Sequence, residues 1–148
     1  MLINPKKCIK LGWIKNVKEE WIQPNGIDIP ANKIFSFNPF SEFRISKINK
    51  IHRSHIELIP KNNFWELRNG KAYEVISNVY VKIPEKVVAW VIVRSTLNRN
   101  GLYLGSGLYD SGYKGPVCCT LYNLGGDEAF IEVDVPIGQI VFMESDNE

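Results

Sequence analysis

One polar stretch, RSTLNRNG, carries side chains that could bind a phosphorylated molecule. Ser95 is a typical N-cap and Gly101 is a typical residue at the end of a helix, so we expect one short helical turn over residues 96–100. Free backbone N–H groups at the start of such a turn, with guanidinium groups beside them, attract anions. The candidate phosphate ligands are Arg94, Ser95, Thr96 and Arg99. The two arginines could equally be solvated surface cations.

A second stretch, GLYDSGYKG, follows within ten residues and holds a possible general base. Asp110 by itself is typical of a turn aspartate that bonds its own backbone. The glycines around it, Gly107 among them, would let a ligand approach the backbone. Tyr113 could pack across two strands, or it could stack against a flat base. The two stretches together place candidate phosphate ligands and a candidate general base close together in sequence.

Other reactive side chains give weaker signals. His52 and His55 are three residues apart, but no third ligand is nearby and the surrounding residues do not look helical, so a metal site is disfavoured. Cys118 and Cys119 are neighbours in a predicted strand and point to opposite faces, which favours packing. Asp28 follows the turn residues Pro-Asn-Gly and either bonds that turn or faces a ligand.

The composition is that of a folded protein of ordinary charge. The 148 residues, 45% of them hydrophobic and 23% charged, fit a single domain over residues 1–148. A net charge of +2 and the lack of a basic stripe argue against nucleic acid and anionic membranes as partners. No run is apolar enough to span a membrane, no signal-peptide core begins the chain, and three cysteines fit a reducing compartment. We therefore expect a cytoplasmic protein.

Short apolar runs separated by proline and glycine predict an all-β fold. A short helix is expected between Pro5 and Gly12. Residues 79–83 alternate as in a half-buried strand, and residues 87–93 are rich in β-branched residues, which predicts burial on both faces. Tyr122, Phe130 and the four tryptophans are expected in the core. The other candidate strands are 33–37, 43–48, 56–59, 64–67, 72–76, 117–124, 130–135 and 139–143.

Four motifs, in order and spacing, resemble those of the trimeric dUTPase and dCTP deaminase superfamily. RSTLNRNG, GLYDSGYKG and PIGQIVF resemble its second, third and fourth motifs, and IQPNGIDI resembles the first motif of the deaminase branch and its archaeal and viral relatives. The match covers residues 22–142, whereas residues 37–76 match nothing specific. The resemblance implies a distorted jelly-roll β-barrel of the dUTPase-like, or β-clip, type.

The resemblance also implies a role for each matching residue. Asp110 falls on the aspartate that orders and deprotonates the attacking water in dUTPases, and Tyr113 falls on the aromatic that packs on deoxyribose and base. Gln139 falls on the fourth-motif glutamine near the phosphates, and Asp28 on the first-motif aspartate. Asp28 and Gln139 could both contact Mg²⁺ through a bound water molecule. The substrate-binding set so implied is Arg94, Ser95, Thr96, Arg99, Gly107, Tyr113 and Gln139.

One position separates the two activities of the superfamily. Deaminases carry a glutamate three residues before an asparagine that matches Asn123, and here that position is Thr120. A threonine hydroxyl cannot shuttle protons at neutral pH. The resemblance therefore favours a dUTP diphosphatase that uses Mg²⁺, assembled as a homotrimer with shared sites.

Two alternatives stay open. One is a dCTP deaminase, alone or bifunctional. The other is a non-catalytic nucleotide-binding regulator, because ESDNE lacks the glycine-rich C-terminal arm of many dUTPases.

Overall fold

The computed structural model describes residues 1–147 and shows a fold built mainly of β-strands, which confirms the all-β jelly-roll prediction. None of the helices in this range is long and apolar enough to cross a membrane. The helices are α1 (Pro5–Lys10), as predicted, and α2 (Ser95–Asn98), with a 3-10 turn at Glu19–Trp21. The strands are β1 (Ile14–Lys15), β2 (Ile27–Pro30), β3 (Lys33–Phe37), β4 (Arg44–Ile45), β5 (Lys50–Ile51), β6 (His55–Glu57), β7 (Phe64–Leu67), β8 (Lys71–Lys82), β9 (Val87–Val93), β10 (Leu102–Gly105), β11 (Lys114–Asn123), β12 (Ala129–Glu132) and β13 (Pro136–Glu144).

Two larger sheets supply most of the core. One has the order β10-β11-β8-β3-β6, with β1 also paired to β8, and the other has the order β2-β13-β9. Side chains alternate along each strand, so every second residue of β8 and β11 faces inward. Val75 and Leu121 of the first sheet and Ile140 and Phe142 of the second are almost fully buried. Burial of such side chains provides the main driving force for folding.

β8 is one twelve-residue strand, so the prediction of two strands at 72–76 and 79–83 was wrong. The chain stays extended through two polar residues because they form a bulge in the β8–β11 pairing. The Ser77 hydroxyl accepts a bond from the Val79 N–H at 3.1 Å, and Asn32 Oδ1 accepts one from the Asn78 N–H at 2.6 Å. These side chains satisfy backbone groups that the bulge removes from the ladder.

Exposure differs from prediction where no second layer covers a strand. β9 has the predicted bounds, but Ile92 is 43% exposed, so in one chain this strand is not buried on both faces. Phe130 was expected in the core and is 55% exposed, because β12 pairs with β7 in a separate two-stranded ribbon. Trp21 and Trp65 are buried as predicted, whereas Tyr122 is half-buried.

Residues 38–54 form a projecting hairpin, which we call the arm. The Asn38 N–H donates to the Ser54 carbonyl at 2.9 Å at its base, and the Ser46 N–H donates to the Asn49 carbonyl at 2.9 Å at its tip. Its strands, β4 and β5, have two residues each, far fewer than the predicted strand 43–48 would have. They pair with each other alone among the described strands.

Tyr109 connects three parts of the barrel. Its N–H donates to the Ala89 carbonyl on β9 at 2.8 Å, and its carbonyl accepts from the Ala89 N–H at 3.1 Å. Its buried hydroxyl donates to the Cys118 carbonyl at 2.6 Å and accepts from the Cys118 N–H at 2.8 Å. Burial raises the pKa of this phenol, so the hydroxyl keeps its proton for the Cys118 carbonyl. The loop that follows Tyr109 is therefore anchored to both β9 and β11.

We predict that Tyr109→Phe lowers the free energy of unfolding by about 1–3 kcal/mol, since both Cys118 backbone groups lose their partner. Denaturant unfolding would measure this loss. Tyr103→Phe is the matched control, because the Tyr103 side chain on β10 is exposed and its hydroxyl makes no hydrogen bond within residues 1–147. Equal midpoints for the two variants would contradict the anchoring role.

Candidate functional site

The second-motif residues lie where β9 ends. Arg94 is extended and stands at the N-cap position of α2, and Ser95 is the first helical residue, so the prediction that Ser95 caps the turn was wrong. The first backbone bond of the turn runs from the Asn98 N–H to the Arg94 carbonyl at 3.1 Å. The backbone N–H groups of Ser95 and Thr96 therefore make no hydrogen bond within the turn, and both residues are exposed.

β13 holds the second-motif cation in place. The Arg94 N–H donates to the Ile137 carbonyl at 3.1 Å, and Nη1 donates to the Pro136 carbonyl at 3.1 Å. The remaining guanidinium donors stay available to a ligand. Arg99 follows the turn and is exposed. Gly101, with φ of 79°, leads the chain into β10 in the left-handed conformation, as predicted.

Asp28 and Gln139 are directly opposite each other on β2 and β13, and their side chains share one face. Asp28 is only 5% exposed; its Oδ2 accepts from Gln23 Nε2 at 3.1 Å, and its Oδ1 has no partner. A Cβ on Gly26 would lie 3.3 Å from Gln139 Oε1, so Gly26 leaves space for this amide. A buried carboxylate oxygen without a donor is unfavourable, and a water or a hydrated cation would satisfy it.

The third-motif aspartate lies in the loop anchored by Tyr109. On the other side of Asp110, the Ser111 hydroxyl donates to the Val87 carbonyl at 2.7 Å. Asp110, held between these two contacts, has an exposed carboxylate. Gly107 is also exposed, and a Cβ there would meet nothing within 4 Å, so the loop backbone is open to a ligand.

Tyr113 is half-buried beside this loop. Its ring centroid lies 5.0 Å from that of Tyr109, and its hydroxyl donates to the Pro116 carbonyl at 2.9 Å. Burial, chiefly, raises the pKa of Tyr113, with smaller effects from Cys118 and Tyr80. The phenol therefore stays neutral and fixed, and it gives a base or sugar a rigid aromatic surface.

The two groups of predicted site residues lie at opposite ends of β9. Tyr109 pairs with Ala89 near the start of the strand, whereas Arg94 follows its last residue. At about 3.3 Å per residue, this places Asp110 roughly 20 Å from Arg94. Asp28 and Gln139 lie at the Arg94 end, because Gln139 pairs with Ile92. One chain does not bring the predicted site together, although its motifs are adjacent in sequence.

A carboxylate that sequence analysis missed stands opposite Thr120. Glu74 on β8 is the register partner of Thr120, so the two side chains share a face. The Glu74 carboxylate contacts His55 Nε2 at 2.9 Å, on the β6 side and away from β11. The pairing depends on the bulge in β8, a feature with no simple sequence signal.

The remaining candidates are structural. Within residues 1–147 no cluster of three or more His, Cys, Asp or Glu side chains could hold a metal ion. Cys118 is half-buried and Cys119 is buried; burial raises the pKa of Cys119 to about 12, so its thiol stays protonated. A cavity of about 1060 Å³ adjoins the base of the arm, and none of the predicted site residues lines it.

Comparison with known proteins places this architecture in a family. A family model described as dCTP deaminase-like matches residues 6–145. The deoxyuridine 5'-triphosphate nucleotidohydrolase of Methanocaldococcus jannaschii is 35% identical over 102 residues, which cover 68% of this chain and 65% of that protein. The dCTP deaminase of Acidianus ambivalens is 29% identical over 113 residues, 74% and 64% of the two chains. The matches thus span slightly less than two thirds of these relatives.

Solved structures show the same fold. The 2'-deoxycytidine 5'-triphosphate deaminase from Agrobacterium tumefaciens aligns with a TM-score of 0.70 and 15% identity, over 97% of this chain and 48% of that one. The dUTPase of Staphylococcus bacteriophage 80alpha aligns with a TM-score of 0.58 and 16% identity, over 91% and 83%. Since the family model spans nearly the whole described chain and the fold agrees, this protein belongs to the dCTP deaminase-like family within the dUTPase and dCTP deaminase superfamily.

Proposed function

We propose that the protein is a dUTP diphosphatase, which converts dUTP and water to dUMP and pyrophosphate. The observation that carries this proposal is the exposed Asp110 carboxylate, held between two backbone anchors and next to the neutral ring of Tyr113. The relatives named as deoxyuridine triphosphate nucleotidohydrolases support it. A carboxylate that faces solvent can hydrogen-bond a water molecule and act as its general base.

The reaction requires one displacement at phosphorus. Water that is hydrogen-bonded to Asp110 attacks the α-phosphorus and transfers a proton to the carboxylate. A new P–O bond forms, and the bond between the α-phosphorus and the bridging oxygen breaks. Pyrophosphate leaves with the electron pair, and Asp110 then returns its proton to solvent. Positioning and charge stabilisation dominate such transfers.

The second-motif residues suit the phosphate end of the substrate. Arg94 and Arg99 offer cationic donors, while the free amides and hydroxyls of Ser95 and Thr96 offer neutral ones. Tyr113 packs on the deoxyribose and base, where a ribose 2'-hydroxyl would meet its ring, and the open backbone at Gly107 contacts the base.

The side-chain oxygen atoms of Asp28 and Gln139, at the phosphate end of the site, are of the kind that suits Mg²⁺. The free Oδ1 of Asp28 and the amide oxygen of Gln139 are oxygen groups that accept from metal-bound water, and most of the ion's ligands would be phosphate oxygens and water. When bound, the ion neutralises charge on the phosphates. Gln23 holds Asp28 through a hydrogen bond, and Gly26 leaves space for the Gln139 amide.

The active assembly contains more than one copy of the chain. Because about 20 Å separates Asp110 from Arg94 along β9, the α-phosphorus cannot be next to both in one chain. A neighbouring copy that places its Arg94 end beside Asp110 completes the site. We propose a homotrimer, in which a rotation that closes repeats this contact three times.

Asp110→Asn is expected to lower kcat for dUTP by about 10²–10⁴, with little change in the Kd for dUTP, because only the base is removed. Pyrophosphate release and calorimetric binding would measure the two quantities. Glu85→Gln, the same chemical change at an exposed loop position, is the control. Tight dUTP binding without turnover by the unsubstituted protein would instead indicate a nucleotide-binding regulator.

A shared site predicts complementation between two inactive variants. In trimers mixed at random from Asp110→Asn and Arg94→Ala chains, about a quarter of the sites combine an intact Asp110 with an intact Arg94 from its neighbour. We expect hydrolysis to recover toward that fraction after co-refolding. Failure to recover in trimers shown by mass to be mixed would assign both residues to one chain's site.

dCTP deamination is a second candidate because Glu74 stands opposite Thr120 and some relatives are named dCTP deaminases. That reaction would convert dCTP and water to dUTP and ammonia. We expect no ammonia, since Glu74 is bound to His55 on the side away from Thr120. Ammonia release that Glu74→Gln abolishes, with a normal thermal unfolding midpoint, would favour the deaminase.

A further inference from the structure

One end of the first sheet has a core face that the rest of the chain leaves partly uncovered. Ser36 on β3 pairs with Tyr73 on β8 and, on its other side, with Ile56 on β6, so these three side chains share one face. Tyr73 is buried, Ser36 is half-buried and Ile56 is 54% exposed. The face that builds the core therefore opens toward solvent along β6, next to the base of the arm.

The ribbon of β7 and β12 forms the other wall of this opening. Phe64 and Phe130 lie on one face of the ribbon and are 42% and 55% exposed. The cavity between the ribbon and the sheet measures about 1060 Å³, and both phenylalanines line it together with Ile56 and Tyr73. This volume is comparable to the largest pockets that hold small molecules. Apolar walls that face one cavity favour a ligand with an apolar body.

The walls of the cavity are also positively charged. Four cations and one carboxylate line it, a net charge of +3, and they are Arg53, Lys61, Arg68, Lys71 and Glu66. None of the four cations forms an ion pair within residues 1–147. Arg53 is held by the arm, since its Nη1 donates to the Ser41 carbonyl at 2.9 Å. The excess of positive charge favours an anionic group on the ligand.

Arg68 and Lys71 mark the position of that anionic group. They flank the turn between β7 and β8, where the Lys71 N–H donates to the Arg68 carbonyl at 3.3 Å. Tyr73, 4% exposed, accepts from the Arg68 N–H at 2.7 Å, but its own O–H donates to no acceptor within residues 1–147. Asp127 is also at this turn, but it does not line the cavity, and its Oδ1 accepts from the Asn69 N–H. One end of the cavity therefore has two cations and a buried neutral donor.

We propose that this cavity binds a small organic acid. Its carboxylate contacts Arg68, Lys71 and the Tyr73 hydroxyl through charge-assisted hydrogen bonds, and its apolar body packs against Phe64 and Phe130. The site is formed by none of the residues predicted to bind dUTP. The inference therefore does not depend on the proposed function.

Other occupants fit the cavity less well. A neutral apolar molecule would make no use of the cations, and an inorganic anion would leave the aromatic walls in water. Glu66 in the wall disfavours a doubly charged head group such as a phosphate monoester. A nucleic acid would be repelled by residues 127–134, which include Phe130 and hold four carboxylates and no cation. A singly charged carboxylate with an apolar body uses both the cations and the aromatic walls.

Octanoate is a suitable probe, because it joins a carboxylate to an unbranched apolar chain. We expect calorimetric titration of the full chain to show one octanoate bound per chain. Octanol, which has the same chain length without the charge, should bind roughly ten- to a hundredfold more weakly, since it makes no charge-assisted hydrogen bond. Equal affinities for octanoate and octanol, or no binding of octanoate, would overturn the inference.

A double variant tests the charged end of the cavity. Arg68→Gln with Lys71→Gln should weaken octanoate binding roughly ten- to a hundredfold and leave octanol binding unchanged, because only the contacts to the carboxylate are lost. Lys6→Gln with Lys10→Gln, which removes two exposed cations that do not line the cavity, is the matched control. The same octanoate affinity in both double variants would contradict the assignment of the carboxylate to Arg68 and Lys71.

Phe130→Ser tests the apolar end. It should weaken octanoate and octanol alike, by about tenfold, since both chains pack on the ring. The thermal unfolding midpoint without ligand should not fall, because Phe130 is 55% exposed. Phe40→Ser, at an exposed phenylalanine that does not line the cavity, is the control and should bind both ligands normally. Unchanged binding by Phe130→Ser would overturn the placement of the apolar body.

A peptide is the competing occupant with the same chemical character. A peptide of alternating glutamate and leucine residues offers carboxylates and apolar groups on a longer chain. If it binds through Arg68 and Lys71 while octanoate does not bind, the cavity is a docking surface for another protein, and the inference is overturned.

Discussion

The candidate site depends on the length of β9, which sets the distance between Arg94 and Asp110. It is a seven-residue strand with β13 beside it along its length, so the distance between its ends is fixed by backbone hydrogen bonds. Arg94 follows one end and Asp110 lies beside the other. No loop movement within one chain removes a separation of about 20 Å that a paired strand spans. The diphosphatase that we propose therefore needs Arg94 and Asp110 from different copies, and the geometry of assembly becomes part of the proposed active site.

Two buried polar side chains, Asn123 and Asp28, differ in whether all their polar atoms have hydrogen-bond partners, and this difference distinguishes a structural role from a functional one. Asn123 is 1% exposed and fully bonded: its Nδ2 donates to the Leu67 carbonyl at 2.8 Å and to the Gly126 carbonyl at 2.7 Å, and its Oδ1 accepts from the Gly125 N–H. Such an amide specifies the fold and leaves no group for a ligand. Asp28 is buried to a similar degree, yet one of its oxygens has no donor. The unsatisfied oxygen is the reason we propose Asp28 as a site residue, whereas the satisfied amide of Asn123 has a structural role.

Features set by local pattern were predictable. The β-branched run of β9, the turn glycine Gly101 and the helix after Pro5 follow from short-range preferences, and the structure places them as expected. The bulge in β8 was missed because Asn32, distant in sequence, supplies the acceptor that keeps the chain extended there. The pairing of Glu74 with Thr120 depends on that bulge. Motif spacing predicted the chemical groups, but it could not show that β9 separates Arg94 from Asp110, because motifs that are adjacent in sequence can lie at opposite ends of a strand.

The division of the site between the two ends of β9 limits how copies can be arranged. In the proposed enzyme each copy presents its Arg94 end to the Asp110 loop of another copy, so the contact joins two different surfaces. A rotation that closes repeats this contact in every copy. Three copies form the smallest closed ring in which each copy gives its Arg94 end to one neighbour and its Asp110 loop to the other, and this is why we propose a trimer.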